Sequence, residues 1–243
     1  MRSSTLVPRA TLVFVVMAIT TTLAIPAARF ALGQEATPST YSCDALPAGA
    51  ASTPALDQGM MDETETASPA AGMEMDMDID VLYIDMMIPH HASIIALADA
   101  ALPRLTDKRL QQIAQAIIDI QTAEIEELGN LRAEIAGSAM PMPMDDTSMG
   151  MMMEMMPGMG SMEEMATQMD PTAQVTAFCE ADNPDLAFID LTIPHHESAI
   201  AASEAVVAQS SDDEIQAFAE RVIADQQAEI ELLMEIRDEL TGS

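Results

Sequence analysis

The chain has 243 residues, and 40 acidic residues against 9 lysines and arginines give it a formal net charge of −31. Nucleic acid and anionic membrane surfaces are therefore poor partners, because a polyanion is repelled by them over long distances. Methionine is unusually frequent at 23 residues, whereas aromatic residues make up only 3% of the chain and tryptophan is absent, which argues against an aromatic binding platform.

Residues 1–33 have the pattern of an export signal. Arg2 and Arg9 precede an apolar run over residues 10–25, and the small residues Ala31 and Gly33 mark a cleavage point. An uncleaved N-terminal anchor is the alternative, although the apolar run is short for a membrane span. No later stretch is predicted to cross a bilayer, so the body of the chain is expected to be extracytoplasmic, whether secreted, on the cell surface or periplasmic.

Residues 34–77 are rich in Ala, Pro, Ser, Thr and Met and have no hydrophobic period, so we predict a disordered tether. The two cysteines of the chain are Cys43, in this tether, and Cys179. In an oxidising exterior we favour a disulfide between them. Free thiols that serve as metal ligands are the alternative.

An internal repeat dominates the rest of the chain. Residues 84–135 align without a gap onto residues 189–240, with about 22 of 52 positions identical. Hydrophobic residues recur in both copies with the 3.6-residue period of an α-helix, and each copy is long enough for two helices joined by a short turn. We therefore predict helical hairpins over residues 78–136 and 183–243, separated by a connector over residues 137–182.

Helix start and stop signals support the two hairpins. In the second copy, Asn183 and Pro184 open the first helix, Ser211 and Glu214 form a capping box for the second, and Gly242 ends it. The matching signals of the first copy are Asp78, Asp107 and Gly137. The second helices carry apolar stripes that continue to Ile135 and Leu240. Packing these stripes together predicts an all-α, antiparallel four-helix bundle.

Polar residues interrupt the apolar faces at equivalent places in the two repeats. Each first helix carries a proline followed by two histidines, and each second helix carries Gln-x-x-Glu in its stripe. A buried carboxylate requires a partner, and the histidines of the other helix are the candidates. The residues concerned are His90, His91, His195, His196, Glu124 and Glu229. The two interpretations are a metal site, and a kinked core in which the histidines are hydrogen-bonded to the glutamates.

The connector is rich in methionine, with thirteen methionines between Met140 and Met169. They alternate with Pro, Gly and acids and show no sustained helical period, so we expect an irregular connector with accessible thioethers rather than a core segment. Thioethers prefer Cu(I) or Ag(I), while imidazole and carboxylate suit Cu(II), so copper is the metal that uses both ligand sets. The candidate thioether ligands are Met86, Met87, Met151, Met152, Met153, Met155 and Met156.

The repeated Ile-Asp-x-x-Ile-Pro-His-His motif with its downstream Gln-x-x-Glu-Ile resembles a widespread bacterial family of exported proteins, a domain of unknown function. The resemblance covers both repeats, about half of the chain. It implies a ferritin-like four-helix bundle and, as in some periplasmic members, binding of copper and silver through His and Met. The second repeat has Leu191 and Thr192 in place of Met86 and Met87, so its site should be weaker or more suited to Cu(II).

Three functions follow from these features. The leading hypothesis is an exported copper-binding protein, for Cu(I), Cu(II) and silver, that serves sequestration, tolerance or trafficking and exchanges metal with another exported copper-handling protein. A ferritin-like di-metal redox enzyme is the second, but such bundles carry Glu-x-x-His motifs, and none occurs here. The third is a metal-free structural or adhesive domain. No catalytic residue is predicted, and the oligomeric state stays open.

Overall fold

The structure is a computed structural model that describes residues 41–44 and 78–242. The predicted signal over residues 1–33 and most of the predicted tether lie outside the described residues. The described part belongs to one compact unit, residues 37–243, and it is entirely helical, without a strand. The all-α prediction is therefore confirmed.

Seven helices follow one another in the described part of the chain. The four long ones are α1 (Ile79–Ala101), α2 (Lys108–Ala136), α6 (Pro184–Gln209) and α7 (Asp213–Thr241). Three short ones lie between the repeats: α3 (Asp146–Met155), α4 (Met162–Gln168) and α5 (Pro171–Cys179). Helix α1 packs against α2, α6 packs against α7, and α1 also packs against α6 and α5. The two predicted hairpins thus form one four-helix bundle.

Ion pairs show that the helices of each hairpin run antiparallel. Asp85, near the start of α1, is paired with Arg132, near the end of α2. The equivalent residues of the second repeat are also paired, with Asp190 Oδ1 of α6 3.0 Å from a terminal nitrogen of Arg237 of α7. The same contact in both copies confirms that the sequence repeat is a structural repeat.

The helix ends match the predicted signals with one exception. Asp78, Asp107 and Asn183 are N-caps whose side chains accept hydrogen bonds from backbone N–H groups. Gly137 and Gly242 end their helices in the left-handed conformation. The predicted capping box of Ser211 and Glu214 is wrong. Asp212 is the N-cap of α7 and accepts from the backbone nitrogens of Glu214 and Ile215. A carboxylate is favoured at the N-cap because it accepts hydrogen bonds from backbone N–H groups and because its negative charge interacts favourably with the positive end of the helix dipole.

The predicted apolar stripes are buried along most of α2 and α7 but not at their last turns. Ile135 and Leu240 are 38% and 43% exposed, so their assignment to the core is wrong. Both residues lie in the last turn of their helices, which end at Ala136 and Thr241. A side chain in a terminal turn has fewer neighbours to cover it than one in the middle of the bundle.

The connector differs most from its prediction. Instead of an irregular, accessible segment it contains α3, α4 and α5, and much of its methionine is in the core. The buried members are Met149, Met152, Met156, Met159 and Met165. They belong to the same hydrophobic cluster as Met86 and Met87. An unbranched methionine side chain adapts to the irregular gaps beneath short helices.

Two further findings concern the compartment and the membrane. Cys43 and Cys179 form a disulfide, which confirms the favoured pairing and removes the alternative of thiol ligands. Helix α1 is long and apolar enough to span a membrane, contrary to the expectation that no later stretch has that composition. Most of its residues are buried in the bundle, and a central helix that packs on several sides has this composition without a membrane.

Candidate metal centre

The four histidines of the chain lie together in the middle of the bundle. Pro89 and Pro194 are inside α1 and α6, and each is followed by two histidines whose side chains are buried. A proline has no N–H to donate to the carbonyl four residues before it, so each helix lacks one backbone hydrogen bond beside its histidines.

The imidazole rings form a row across the interface between α1 and α6. The central pair, His90 and His195, has ring centroids 3.7 Å apart. The rings of His90 and His91 are 6.4 Å apart, and those of His195 and His196 are 6.3 Å apart. These three distances connect the rings in the order His91, His90, His195, His196, with one histidine pair from each repeat. We call this set of four rings the imidazole row.

Two serines determine the tautomer of the central pair. His90 Nε2 lies 3.0 Å from Ser198 Oγ, and His195 Nε2 lies 3.0 Å from Ser93 Oγ. Each serine hydroxyl also contacts the carbonyl oxygen three residues before it, at 2.7 Å for Ser93 and 2.8 Å for Ser198. Each hydroxyl also lies beside an oxygen of Gln168, Oε1 for Ser198 and the backbone carbonyl for Ser93. Because all of these oxygens can only accept, the single hydrogen of each hydroxyl goes to one of them. The imidazoles must then donate from Nε2, which leaves a lone pair on Nδ1.

Glutamates of the second helices hold the outer pair, as the sequence predicted. His196 Nε2 donates to Glu229 Oε2 over 2.7 Å. His91 Nε2 lies 2.9 Å from Glu124 Oε2, an ion-pair distance without the alignment of a hydrogen bond. An ionised carboxylate only accepts, so the contact with Glu229 places hydrogen on Nε2 of His196, and the proximity of Glu124 favours the same tautomer of His91.

All four Nδ1 atoms are buried and have no hydrogen-bond partner within the described part of the chain. Four orphaned acceptors on neighbouring rings are unusual, because buried polar atoms are nearly always satisfied. A metal ion could be the missing partner of these nitrogens, because imidazole nitrogen is a copper ligand. The second ring nitrogen of a metal-bound histidine usually donates its hydrogen to a nearby oxygen, as Nε2 does here.

The electrostatics keep the central pair neutral. Burial lowers the pKa of His90 well below its ordinary value of 6.5, and nearby His91 and His196 lower it further. Burial and the other three histidines lower the pKa of His195 in the same way. An imidazole must be uncharged to bind a metal. At neutral pH, these two rings can therefore bind one without first losing a proton.

The methionine candidates differ in how deeply they are buried. Met86, Met87, Met152 and Met156 are buried in one hydrophobic cluster. Met151, Met153 and Met155 are partly buried and pack against that cluster. In the second repeat, Thr192 is buried, and its hydroxyl oxygen has no hydrogen-bond partner among the residues that the structure describes. Within residues 41–44 and 78–242, no three His, Cys, Asp or Glu side chains are arranged to hold a metal ion together, so the imidazoles would have to adjust on binding.

Sequence reasoning missed Ser93, Ser198 and Gln168. Gln168, at the end of α4, accepts from Ser198 Oγ through its Oε1 over 2.6 Å, and its backbone carbonyl contacts Ser93 Oγ. The serines could have been found, because each follows the first histidine of its pair by three residues in both repeats. Gln168 lies in the connector, outside the repeat, and had no such signal.

Comparison with known proteins places these features in a family. Residues 39–132 and 80–237 match the family described as Domain of unknown function (DUF305). No curated protein matches the chain.

Three solved structures share the helical fold over 66% of this chain, each with a TM-score of 0.51. CopM in the Cu(I)-bound form is 23% identical over 96% of its own length. CopM in the Cu(II)-bound form is 24% identical over 97%. CopM in the silver-bound form obtained by soaking is 24% identical over 95%. At this level of identity, the likeness establishes the bundle fold.

Proposed function

We propose that this chain, which belongs to the DUF305 family, is a copper-binding protein whose structured site is the row of four imidazoles. The observation that carries the proposal is the set of four buried, unpartnered Nδ1 atoms on adjacent rings. The fold likeness to CopM, which was crystallised with Cu(I), Cu(II) and silver, supports copper and silver as the cargo.

The residues around the row have complementary roles. The four histidines supply the nitrogen ligands. Glu124 and Glu229 hold the outer rings, and Ser93 and Ser198 hold the central ones. Support of this kind orients an imidazole and raises its basicity. Met86 and Met87, in the core of the first repeat, add thioethers that favour Cu(I).

The proposed role is sequestration, tolerance or trafficking of copper outside the cytoplasm. The disulfide between Cys43 and Cys179 supports an oxidising compartment, which agrees with the export signal predicted for residues 1–33. The acidic surface raises the local concentration of cations, and the exposed Met140 and Met142 are suited to receiving Cu(I) from another exported copper-handling protein. We propose no catalytic activity.

The experiment is a copper titration of the purified protein and of the His90→Gln/His195→Gln variant. Glutamine keeps an amide donor near the position of Nε2 but lacks Nδ1, so it removes the ligand atoms and retains the serine contacts. We expect the wild type to bind at least one copper equivalent at micromolar concentration and the variant to bind about tenfold or more weakly. Met140→Leu/Met142→Leu, which changes exposed thioethers, is the matched control and should keep the histidine site.

The same samples test the alternative that the protein is a structural domain that binds no metal. A ligand that binds only the folded state raises the melting temperature, so copper should raise the Tm of the wild type and of the methionine control. An unchanged Tm with copper, together with no copper bound at micromolar concentration, would falsify the proposed function.

A further inference from the structure

A small cleft between α2 and α7 lies behind the glutamates that hold the outer histidines. Its polar lining comes from equivalent positions of the two repeats, Gln121 with Glu124 and Gln226 with Glu229, together with Asp225. Ile117 and Ile120 complete it. The cavity volume is about 10 Å³, which is the space that one water-sized particle needs.

The glutamines are the first sign that this space has an occupant. Gln121 and Gln226 are only 3% and 4% exposed, and both line the cleft. The Oε1 atom of each has no hydrogen-bond partner within the described residues. Two buried carbonyl oxygens at symmetric positions that share one cleft can both be satisfied by a single cation between the helices.

The carboxylates of the cleft supply further oxygen atoms and negative charge. Glu124 Oε2 contacts His91, and Glu229 Oε2 contacts His196. Each carboxylate therefore has a second oxygen that the histidine contact does not use. Asp225 adds a third negative charge, and the guanidinium of Arg221, which lies near Asp225, is already paired with Glu127. The lining therefore has an excess of negative charge and of oxygen acceptors, with no sulfur among its atoms.

We propose that this cleft is a second metal site, which binds one hard divalent cation of the Mn²⁺ or Ca²⁺ type through the side-chain oxygens of Gln121, Gln226, Glu124 and Glu229. Carboxylate and amide oxygens, completed by water, are the ligands that such cations prefer. The site is distinct from the imidazole row because it uses oxygens on the far side of the glutamates, and it does not depend on copper binding.

The test measures Mn²⁺ binding from the loss of the free-ion electron paramagnetic resonance signal, at about 0.15 M salt so that diffuse attraction to the acidic surface is screened. We expect one Mn²⁺ per wild-type protein, competed by Ca²⁺. The Gln121→Leu/Gln226→Leu variant should bind Mn²⁺ at least about tenfold more weakly. The control Gln115→Leu/Gln227→Leu, which changes exposed glutamines of the same two helices, should bind like the wild type.

A gain-of-function variant guards against a loss caused by misfolding. Gln121→Glu/Gln226→Glu exchanges the neutral amides for carboxylates and should bind Mn²⁺ more tightly than the wild type. A wild type without stoichiometric Mn²⁺ binding, or a Gln121→Leu/Gln226→Leu variant that binds Mn²⁺ normally, overturns the proposal. Copper titration of the leucine variant distinguishes the two sites, because it should retain the copper affinity of the wild type whether or not the imidazole row proves to be the copper site.

Discussion

The chemistry of the candidate centre depends on which ring nitrogen of each histidine carries hydrogen. The hydroxyls of Ser93 and Ser198 accept from Nε2 of His195 and His90, because their own hydrogens go to oxygens that can only accept. Nδ1 is left as the free ligand atom. Two side chains outside the proposed ligand set thus leave Nδ1 as the available nitrogen of each central histidine.

The serine contacts can be tested by removal. Ser93→Ala/Ser198→Ala should lower the copper affinity about tenfold or more, because the central imidazoles lose the acceptors that fix their tautomer and orientation. Copper titration measures the affinity, and nitrogen-15 NMR of the histidines reports the tautomer, which should become mixed. The control is Ser203→Ala, since Ser203 is a buried serine of α6 that bonds Tyr83 instead. Equal copper affinities in the serine pair variant and the wild type would contradict the tautomer assignment.

The low pKa of His90 and His195 predicts how the metal-free protein responds to acid. In the unfolded chain both histidines bind protons below about pH 6.5, whereas the folded protein resists protonation of these rings. The unfolded state then binds more protons, so the free energy of unfolding falls as the pH drops below 6.5. The limiting slope is about 1.4 kcal/mol per pH unit for each histidine.

Urea unfolding between pH 7 and pH 5 measures this slope. His90→Gln/His195→Gln should lose most of it, while Ser203→Ala should retain it. A wild-type protein whose stability is flat or rises over this range would show that the central imidazoles are not held neutral by the fold.

At the scale of elements, the connector is part of the bundle rather than a flexible appendage. Gln168 at the end of α4 contacts both serines of the centre, and Cys179 at the end of α5 is tied to Cys43. The methionines of α3 and α4 fill the space beneath them. These methionines therefore contribute to the stability of the folded protein.

Two methionine substitutions separate the buried and exposed populations of the connector. Met152→Ala should lower the free energy of unfolding by about 2–5 kcal/mol, because it leaves a cavity in the core. Met140→Ala should change it by less than about 0.5 kcal/mol, because Met140 is 76% exposed. Urea unfolding of the metal-free variants gives both values. Similar, small changes at the two positions would support the accessible connector that the sequence suggested.

The long helices and the short ones differ in what their sequences reveal. Helices α2 and α7 have 29 residues each and repeat the same stripe, so their period and antiparallel pairing were predictable, as were their caps apart from the N-cap of α7. Helix α4 has 7 residues and α5 has 9, which is too short to display a period of 3.6. The burial of Met152 depends on the surface that the bundle presents, and no local pattern reports that surface. The contacts of Gln168 were hidden for the same reason.

The whole molecule is a repeat whose symmetry is broken by the connector. The ion pair of Asp85 and Arg132 is buried, and connector residues complete it, with the Ser138 carbonyl accepting from Arg132 and the Met142 backbone N–H donating to Asp85. The equivalent pair of Asp190 and Arg237 is half exposed. The two repeats thus offer related but unequal surroundings to one shared row of histidines.

The central claim is that the imidazole row binds copper through Nδ1. The most direct measurement is anomalous X-ray scattering from crystals of the protein loaded with copper, because it locates the metal and its ligands together. The account predicts a copper peak between α1 and α6, within bonding distance of Nδ1 atoms of His90 and His195. Copper found solely on surface methionines or carboxylates, with the four rings unchanged and their Nδ1 atoms unbound, would contradict it.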